Sequence, residues 1–293
     1  MFLRPSKRLM TLVRRLATEN RKYVLTEVFD GDTFLIGLNR PEKRNCVNHE
    51  TALQLLEAFE EFETRPELKV AILYGKGGNF CAGYDLKEVS STSAQSAFSD
   101  VDWSKFRPMG PSKMRFSKPT IAAVNGYAVA GGLELALMCD IRVVEDSAVL
   151  GVFCRRFGVP LIDGGTVRLP KLIGLSRALD LIVTGREVTG REAYSIGLAQ
   201  RVCATGTVFG QAIQVARNIR KFPQLCLNAD RESAHYSAYD ATSYDDAFEY
   251  EVTHGLPIIA KESIKGANRF VNEGIGRHGS SNLDIPPVPK SKL

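Results

Sequence analysis

The chain of 293 residues lacks the patterns that mark several large classes of protein. It has no run of eighteen apolar residues, so no membrane span is expected. The six cysteines form no CxxC pair, and no histidine stands at metal-ligand spacing, so no structural metal site is expected. The four histidines are isolated and fall in no motif. The scattered cysteines are interpreted as reduced thiols in an intracellular enzyme.

An excess of positive charge is also missing once the N-terminus is set aside. The formal net charge is +5, but seven of the 38 Lys and Arg residues stand in residues 1–22, against one acid of the 33. The remainder therefore has 31 basic and 32 acidic residues. This balance gives no electrostatic reason to bind nucleic acid, and no nucleic-acid partner is expected.

What the sequence does contain is an alternation of strand and helix patterns. With 44% hydrophobic residues it can bury one large core and a smaller appendage. An α/β fold is predicted. The predicted strands are 23–29, 33–38, 69–74, 120–124 and 141–144, and the predicted helices are 49–65, 131–139, 164–173, 212–221, 245–253 and 258–272.

The stretch from Pro119 to Asp140, PTIAAVNGYAVAGGLELALMCD, reads as a strand, a turn and a helix. Two adjacent glycines, Gly131 and Gly132, begin the helix and leave its first N–H groups uncovered by any Cβ. Those groups lie at the positive end of the helix dipole and can hold a developing oxyanion. Glu134 follows within the first turn. It is either a charge that stabilises the helix start or an acid–base group.

A second glycine-bearing stretch lies upstream. The predicted strand 69–74 runs into a glycine-rich loop and then into FCAGYDL, residues 80–86. Strand, loop and small residues again predict an exposed backbone amide, here near Ala82.

FCAGYDL followed some forty residues later by NGYAVAGGLELALMCD resembles the enoyl-CoA hydratase (crotonase) superfamily, over roughly residues 23–275. The resemblance implies a crotonase-like ββα spiral core with a C-terminal helical region, and an acyl-CoA substrate with no cofactor beyond its own coenzyme A. It implies that the thioester oxygen sits between the amides of Ala82 and Gly131. It also implies a homotrimer or a dimer of trimers. The substrate-binding candidates are Gly83, Tyr84, Asp85 and Arg44, although Arg44 and its neighbour Lys43 are equally interpretable as solvated loop charges.

The sequence departs from the hydratase pattern after residue 150. Hydratases carry a second glutamate here, and alignment on the glycines puts Cys154 at that position. A thiol replaces a carboxylate poorly as a base because its ordinary pKa is about 8.5, so a packed, inert cysteine is the main interpretation. Asp163 offers a different second carboxylate, as in dienoyl-CoA isomerases and naphthoyl-CoA synthases. Alternatively, Asp163 is only the N-cap of the next helix.

The two terminal segments resemble targeting signals. Residues 1–22 resemble a basic mitochondrial presequence or form a basic disordered tail. Residues 276–293 end in Ser291-Lys292-Leu293, a peroxisomal signal, so peroxisomal import is expected, with mitochondrial delivery as a second expectation. Between them lie the core, 23–205, and the helical region, 206–275. Segment 90–117, which contains Trp103, Phe106, Met109 and Pro111, either covers the acyl pocket or is a surface loop.

The function expected from these observations is acyl-CoA hydratase/isomerase chemistry, with Glu134 and Asp163 as catalytic candidates. Hydration of a 2-enoyl-CoA in fatty-acid metabolism is the leading expectation, and double-bond isomerisation is the second. An acyl-CoA-binding protein without turnover is a third interpretation, and an acyl-CoA hydrolase or decarboxylase is a fourth.

Overall fold

The chain divides into two units in the computed structural model, which describes residues 21–91, 107–280 and 282–283. The first unit ends at Ile213 and the second begins at Gln214, so the predicted boundary at 205 falls before the observed one. Three features predicted from the sequence lie outside the described residues: the segment 1–20, the aromatic residues Trp103 and Phe106, and the terminal Ser291-Lys292-Leu293.

The strands, all in the first unit, are β1 (Val24–Phe29), β2 (Thr33–Leu38), β3 (Val70–Gly75), β4 (Thr120–Val124), β5 (Tyr127–Val129), β6 (Ile141–Glu145), β7 (Val149–Gly151), β8 (Val188–Thr189) and β9 (Arg201–Cys203). The helices are α1 (His49–Thr64), α2 (Leu86–Ser91), α3 (Gly131–Met138), α4 (Gly165–Ile173), α5 (Leu175–Thr184), α6 (Gly190–Ser195), α7 (Val208–Ile219), α8 (Gln224–Tyr239), α9 (Tyr244–Ile258) and α10 (Ile264–Glu273). Helix α7 contains the boundary between the units.

The larger sheet has the strand order β1-β2-β3-β4-β6-β9. Strands β1 and β2 pair antiparallel through a tight turn at Asp30 and Gly31, whose φ angles of +50° and +84° suit an Asp-Gly hairpin. The remaining neighbours are parallel. Strand β4 is buried along its whole length, as expected for a parallel strand covered on both faces.

A second, smaller sheet contains β5, β7 and β8. Strands β5 and β7 are parallel, and β7 and β8 are antiparallel. An isolated bridge joins Cys81 to Ala128 of β5. This bridge brings the loop that follows β3 against the strand that leads into α3, so the two glycine-bearing stretches of the sequence become neighbours.

Helix α1 shows how local sequence fixes an element of the first unit. The side chain of Asn48 caps its N-terminus by accepting the N–H of Thr51 at 3.0 Å. Its inner face buries Leu55, Phe59 and Phe62 completely. The Phe59 ring stacks on Phe116 with 4.8 Å between centroids, which holds the end of the 107–117 segment on the core.

The described helices of the second unit are the end of α7, α8, α9 and α10. Tyr236 of α8 stacks on Tyr250 of α9 with 3.8 Å between ring centroids. A π-helical turn, Ile259–Ser263, joins α9 to α10, and its Glu262 accepts the backbone N–H of Cys226 at 2.7 Å. No helix within the described ranges combines the length and the apolar character needed to cross a membrane.

The predicted fold class, α/β with a C-terminal helical region, is confirmed. Strands β2 and β4 have the predicted bounds, and α3 ends one residue before the predicted end. The sequence did not predict the short strands β5, β7, β8 and β9 or the helices α2, α5, α6 and α8.

Candidate active site

Helix α3 is the central element of the site, and all eight of its residues are buried. Ala130 precedes it with a φ of +54°, which is rare for a residue with a Cβ. The backbone N–H of Ala130 donates to the carbonyl of Gly151 at 2.9 Å, which ties this strained residue to β7. The helix therefore begins at a fixed point, with Gly131 first and Glu134 in its first turn.

The carboxyl group of Glu134 is enclosed, with 3% of the residue exposed. Its Oε1 accepts the backbone N–H of Asp163 at 2.9 Å and that of Gly165 at 2.7 Å. Among the described residues, its Oε2 has no hydrogen-bond partner. Burial raises the pKa of Glu134 to about 7, the nearby Asp163 carboxylate adds to the rise, and the two N–H donors oppose it. A carboxyl group with this pKa can both accept and donate a proton at neutral pH.

Asp163 lies beside Glu134 but does not cap helix α4. The N-cap of α4 is Gly164, which has no side-chain cap, so the interpretation of Asp163 as an N-cap is wrong. Its Oδ1 instead accepts the backbone N–H of Met109 at 3.0 Å and the hydroxyl of Ser112 at 2.5 Å. Burial raises the pKa of Asp163, and these two hydrogen bonds partly offset the rise.

The amide of Ala82 is not available to a ligand. Its N–H donates to the carbonyl of Arg44 at 3.0 Å, so the predicted oxyanion role of Ala82 is wrong. A backbone amide that already has an acceptor would have to break that bond before it could bind another oxygen.

The amide of Tyr84 has the properties expected of Ala82. The carbonyl of Gly83 and the N–H of Asp85 both bond to Val47. In such a parallel bridge the N–H of the intervening residue points away from the partner. The N–H of Tyr84 therefore points away from Val47. No acceptor among the described residues takes a hydrogen bond from the N–H of Tyr84 or from that of Gly131.

Gly83 allows the two stretches to approach each other. Its φ is +95°, which is in the left-handed region, and a Cβ there would lie 3.2 Å from the backbone nitrogen of Gly131 and 3.0 Å from the Cβ of Ala130. A side chain at residue 83 would therefore push the start of α3 away. The structure thus brings the loop that carries the Tyr84 amide against the start of α3, where Gly131 and Glu134 lie in the first turn of the helix.

The side chains of the other predicted substrate-binding residues contact groups of the protein itself. The carboxylate of Asp85 pairs with Arg40 at 3.1 Å, and both side chains are largely buried. This pair anchors the segment that presents the Tyr84 amide. The hydroxyl of Tyr84 donates to Glu88 at 2.7 Å. The guanidinium of Arg44 lies 5.1 Å from the centroid of the Tyr127 ring, and its side chain is exposed.

A sequence profile described as "Enoyl-CoA hydratase/isomerase" matches residues 30–275. The chain is similar to the enoyl-CoA hydratase EchA19 of Mycobacterium tuberculosis, with 31% identity over 83% of this chain and 91% of that protein. It is also similar to the mevalonyl-coenzyme A hydratase sidH of Aspergillus fumigatus, with 33% identity over 73% of this chain and 78% of that protein. A crystal structure of an enoyl-CoA hydratase from M. tuberculosis H37Rv superposes with a TM-score of 0.78 and 32% identity, over 86% of this chain and 97% of that one.

The chain belongs to the enoyl-CoA hydratase/isomerase family. Its fold is that of the crotonase superfamily.

Cys154 is the residue that the sequence resemblance aligns with the second glutamate of hydratases. The residue lies in a 3₁₀ helix, Phe153–Phe157, with 7% of its surface exposed. Burial raises the pKa of its thiol, and the charge of nearby Glu134 raises it further. The thiol therefore lies within electrostatic reach of Glu134, but it stays protonated near neutral pH and is a poor base.

Two residues of the site were missed by sequence reasoning. The guanidinium of Arg168 donates to the carbonyl of Asp163 at 3.0 Å and to that of Ser112 at 2.6 Å. Ser112 is 1% exposed and had no distinguishing sequence pattern. Arg168 lies one helical turn after Gly164, and this spacing was the available signal. Within the described part of the chain, no three His, Cys, Asp or Glu side chains are grouped so that they could hold a metal ion.

Proposed function

We propose that the protein hydrates 2-enoyl-CoA thioesters in fatty-acid metabolism and uses no cofactor of its own. The observation that carries the proposal is a buried glutamate, Glu134, whose pKa lies near 7, on a helix that begins at a backbone amide with no acceptor among the described residues, that of Gly131. The Tyr84 amide supplies the second donor. The proposed substrate accepts both N–H groups at its thioester oxygen.

The chemistry follows from these positions. Water attacks the β-carbon of the enoyl group, and its proton passes to the carboxylate of Glu134. The electrons of the double bond move toward the thioester oxygen, where the two amides stabilise the enolate by several kcal/mol. The same carboxyl group then returns a proton to the α-carbon. Since Oε1 of Glu134 is fixed by two N–H donors, Oε2 is the oxygen that exchanges the proton.

The Glu134→Gln variant tests the proposal. Glutamine can still accept the Asp163 and Gly165 N–H groups through its carbonyl oxygen, so the fold is expected to persist, while proton transfer is lost. We expect kcat for crotonyl-CoA to fall by roughly 10²–10⁴, measured as the loss of the conjugated thioester absorbance. Glu187→Gln is the matched control because it removes the same charge from an exposed position. Turnover by Glu134→Gln at the wild-type rate would contradict the proposal.

A wild-type protein that binds crotonyl-CoA tightly without converting it would instead identify an acyl-CoA-binding protein. Release of the free coenzyme A thiol would identify a hydrolase or a decarboxylase. In both alternatives the two amides still bind the thioester oxygen, but no water is added to the double bond. Mass spectrometry of the product separates all three outcomes, because hydration alone adds one water to the intact thioester.

Double-bond isomerisation is the second candidate, and one observation favours it. Glu134 and Asp163 are both buried, and their charges interact, so two acids could move a proton between carbons without adding water. A 3-enoyl-CoA substrate discriminates the two reactions. An isomerase converts it to the 2-enoyl thioester at constant mass, whereas a hydratase without isomerase activity leaves it unchanged.

A further inference from the structure

The segment from Met109 to Ser112 is fastened to the site by three hydrogen bonds. Asp163 accepts two of them through one oxygen, from the backbone of Met109 and from the hydroxyl of Ser112. The guanidinium of Arg168 donates the third to the carbonyl of Ser112. Ser112 is therefore held at both its side chain and its backbone. The segment also packs closely against helix α1, since a Cβ on Gly110 would lie 2.3 Å from the carbonyl oxygen of Ala52.

These hydrogen bonds place the side chain of Met109 next to the proposed oxyanion site. Met109 is completely buried, and a Cβ on Gly131 would lie 2.5 Å from its sulfur and 2.9 Å from its Cγ. The thioether therefore occupies the space directly over the first residue of α3. An acyl group whose thioester oxygen binds the Gly131 amide would meet this thioether.

Asp163 connects the two halves of this arrangement. Its backbone N–H holds Oε1 of Glu134, while its side chain holds the Met109 segment. We infer that Asp163 is a positioning residue, which fixes the Met109–Ser112 segment over Gly131 and makes Met109 the wall that the acyl group contacts. The inference rests on the proposed function, because it assumes that a CoA thioester binds at Gly131. It assigns Asp163 a task that needs a hydrogen-bond acceptor but no transferable proton.

The experiment compares Asp163→Asn, Asp163→Ala and Ser112→Ala. Asparagine keeps an oxygen that can accept both hydrogen bonds, whereas the two alanine variants remove the fastening from either side. The measured quantity is the dissociation constant of butyryl-CoA, a saturated thioester that cannot be hydrated, by titration calorimetry. Ser117→Ala is the matched control. The Ser117 hydroxyl donates to Glu63 at 2.7 Å, so this substitution removes a serine–carboxylate hydrogen bond on the same segment but outside the site.

We expect Asp163→Ala and Ser112→Ala to weaken butyryl-CoA binding by about tenfold, the usual effect of losing a hydrogen bond to a charged group. Asp163→Asn should stay within about threefold of the wild type, because the acceptor is retained. The double variant Ser112→Ala/Asp163→Ala should lose no more than either single variant, since both changes release the same segment. Asparagine rescue and this lack of additivity would not arise from a general loss of stability.

Equal weakening in Asp163→Asn and Asp163→Ala would overturn the inference, because it would show that the charge matters and not the acceptor. Wild-type affinity in Ser112→Ala would overturn it as well, and this variant decides the question even where Asp163→Ala does not fold. Failure of the proposed function has a different signature. It would appear as a wild-type protein that binds butyryl-CoA and leaves crotonyl-CoA unconverted.

Discussion

The backbone N–H of Asp163 donates to Oε1 of Glu134 at 2.9 Å, so the two acids of the site are joined through the main chain. Both are nearly inaccessible to water, at 4% and 3% exposed. Their carboxyl groups therefore share one poorly solvated region, and the Asp163 carboxylate resists the ionisation of Glu134. The pKa of Glu134, raised to about 7 by burial and then by Asp163, follows from this relationship.

The raised pKa of Glu134 predicts how stability depends on pH. In the unfolded chain the group titrates near 4.5, and in the folded protein near 7. Between these values unfolding releases a proton, so stability falls as pH rises, and the loss is complete above the folded pKa. Relative to Glu134→Gln, the wild type should lose on the order of 3 kcal/mol between pH 4 and pH 8. Urea unfolding of both proteins across this range measures the difference, and parallel curves would contradict the prediction.

The same pKa predicts the pH dependence of turnover. Since hydration begins with ionised Glu134 accepting a proton, kcat/KM should fall as pH decreases through about 7. Replacing Asp163 by asparagine removes the negative charge that raises the Glu134 pKa. The acidic limb of the kcat/KM profile should therefore move to lower pH in Asp163→Asn. A limb that stays in place, or moves upward, would show that the Asp163 charge does not act on the catalytic group.

Two adjacent glycines should respond differently to alanine. A Cβ on Gly132 would lie 2.1 Å from the backbone oxygen of Cys81, which cannot move without breaking the bridge to β5. Gly132→Ala should thus destabilise the protein by about 2–3 kcal/mol. At Gly131 the nearest atom belongs to the flexible side chain of Met109, so the fold should tolerate alanine.

In Gly131→Ala the displaced thioether crowds the proposed oxyanion site, and kcat/KM for crotonyl-CoA should fall roughly 10–100-fold. Thermal melting and enoyl-CoA turnover, measured on both variants, test the contrast. A stable Gly132→Ala protein, or an unfolded Gly131→Ala protein, would show that the packing around the start of α3 differs from that described.

The glycines also show how much of the site the sequence could predict. The start of α3 and the position of Glu134 follow from local pattern, because a glycine pair before an apolar run fixes a helix start. The choice between Ala82 and Tyr84 does not follow from local pattern. It depends on which peptide groups pair with Arg44 and Val47, residues that lie almost forty positions away.

The hydrogen-bond partners of Asp163 could not be predicted from local sequence either, because they too are distant along the chain. The sequence suggested an N-cap or a catalytic acid, both of which are local or resemblance-based roles. The observed acceptor role joins residue 163 to residues 109 and 112, more than fifty positions earlier. The short strands of the smaller sheet were missed because runs of two or three residues carry no periodic signal.

Cys154 provides the last test, since the sequence resemblance aligns it with the position where hydratases carry a second glutamate. Burial and the Glu134 charge both raise the thiol pKa, so the group is neutral at pH 7 and can neither hold nor activate water as a carboxylate would. Cys154→Ser should therefore retain kcat for crotonyl-CoA within about threefold. In native protein, iodoacetamide should modify exposed Cys226 well before Cys154, and peptide mass spectrometry measures the order.

Cys154→Glu should shift the titration of Glu134 in the direction opposite to that expected for Asp163→Asn. A third carboxyl group in the same buried region disfavours ionisation of Glu134, so the acidic limb of kcat/KM should move to higher pH. A large loss of kcat in Cys154→Ser, together with rapid alkylation of Cys154, would mean that the thiol is ionised and takes part in turnover. Glu134 would then share the proton transfer with a sulfur, and the single-acid mechanism proposed above would be wrong.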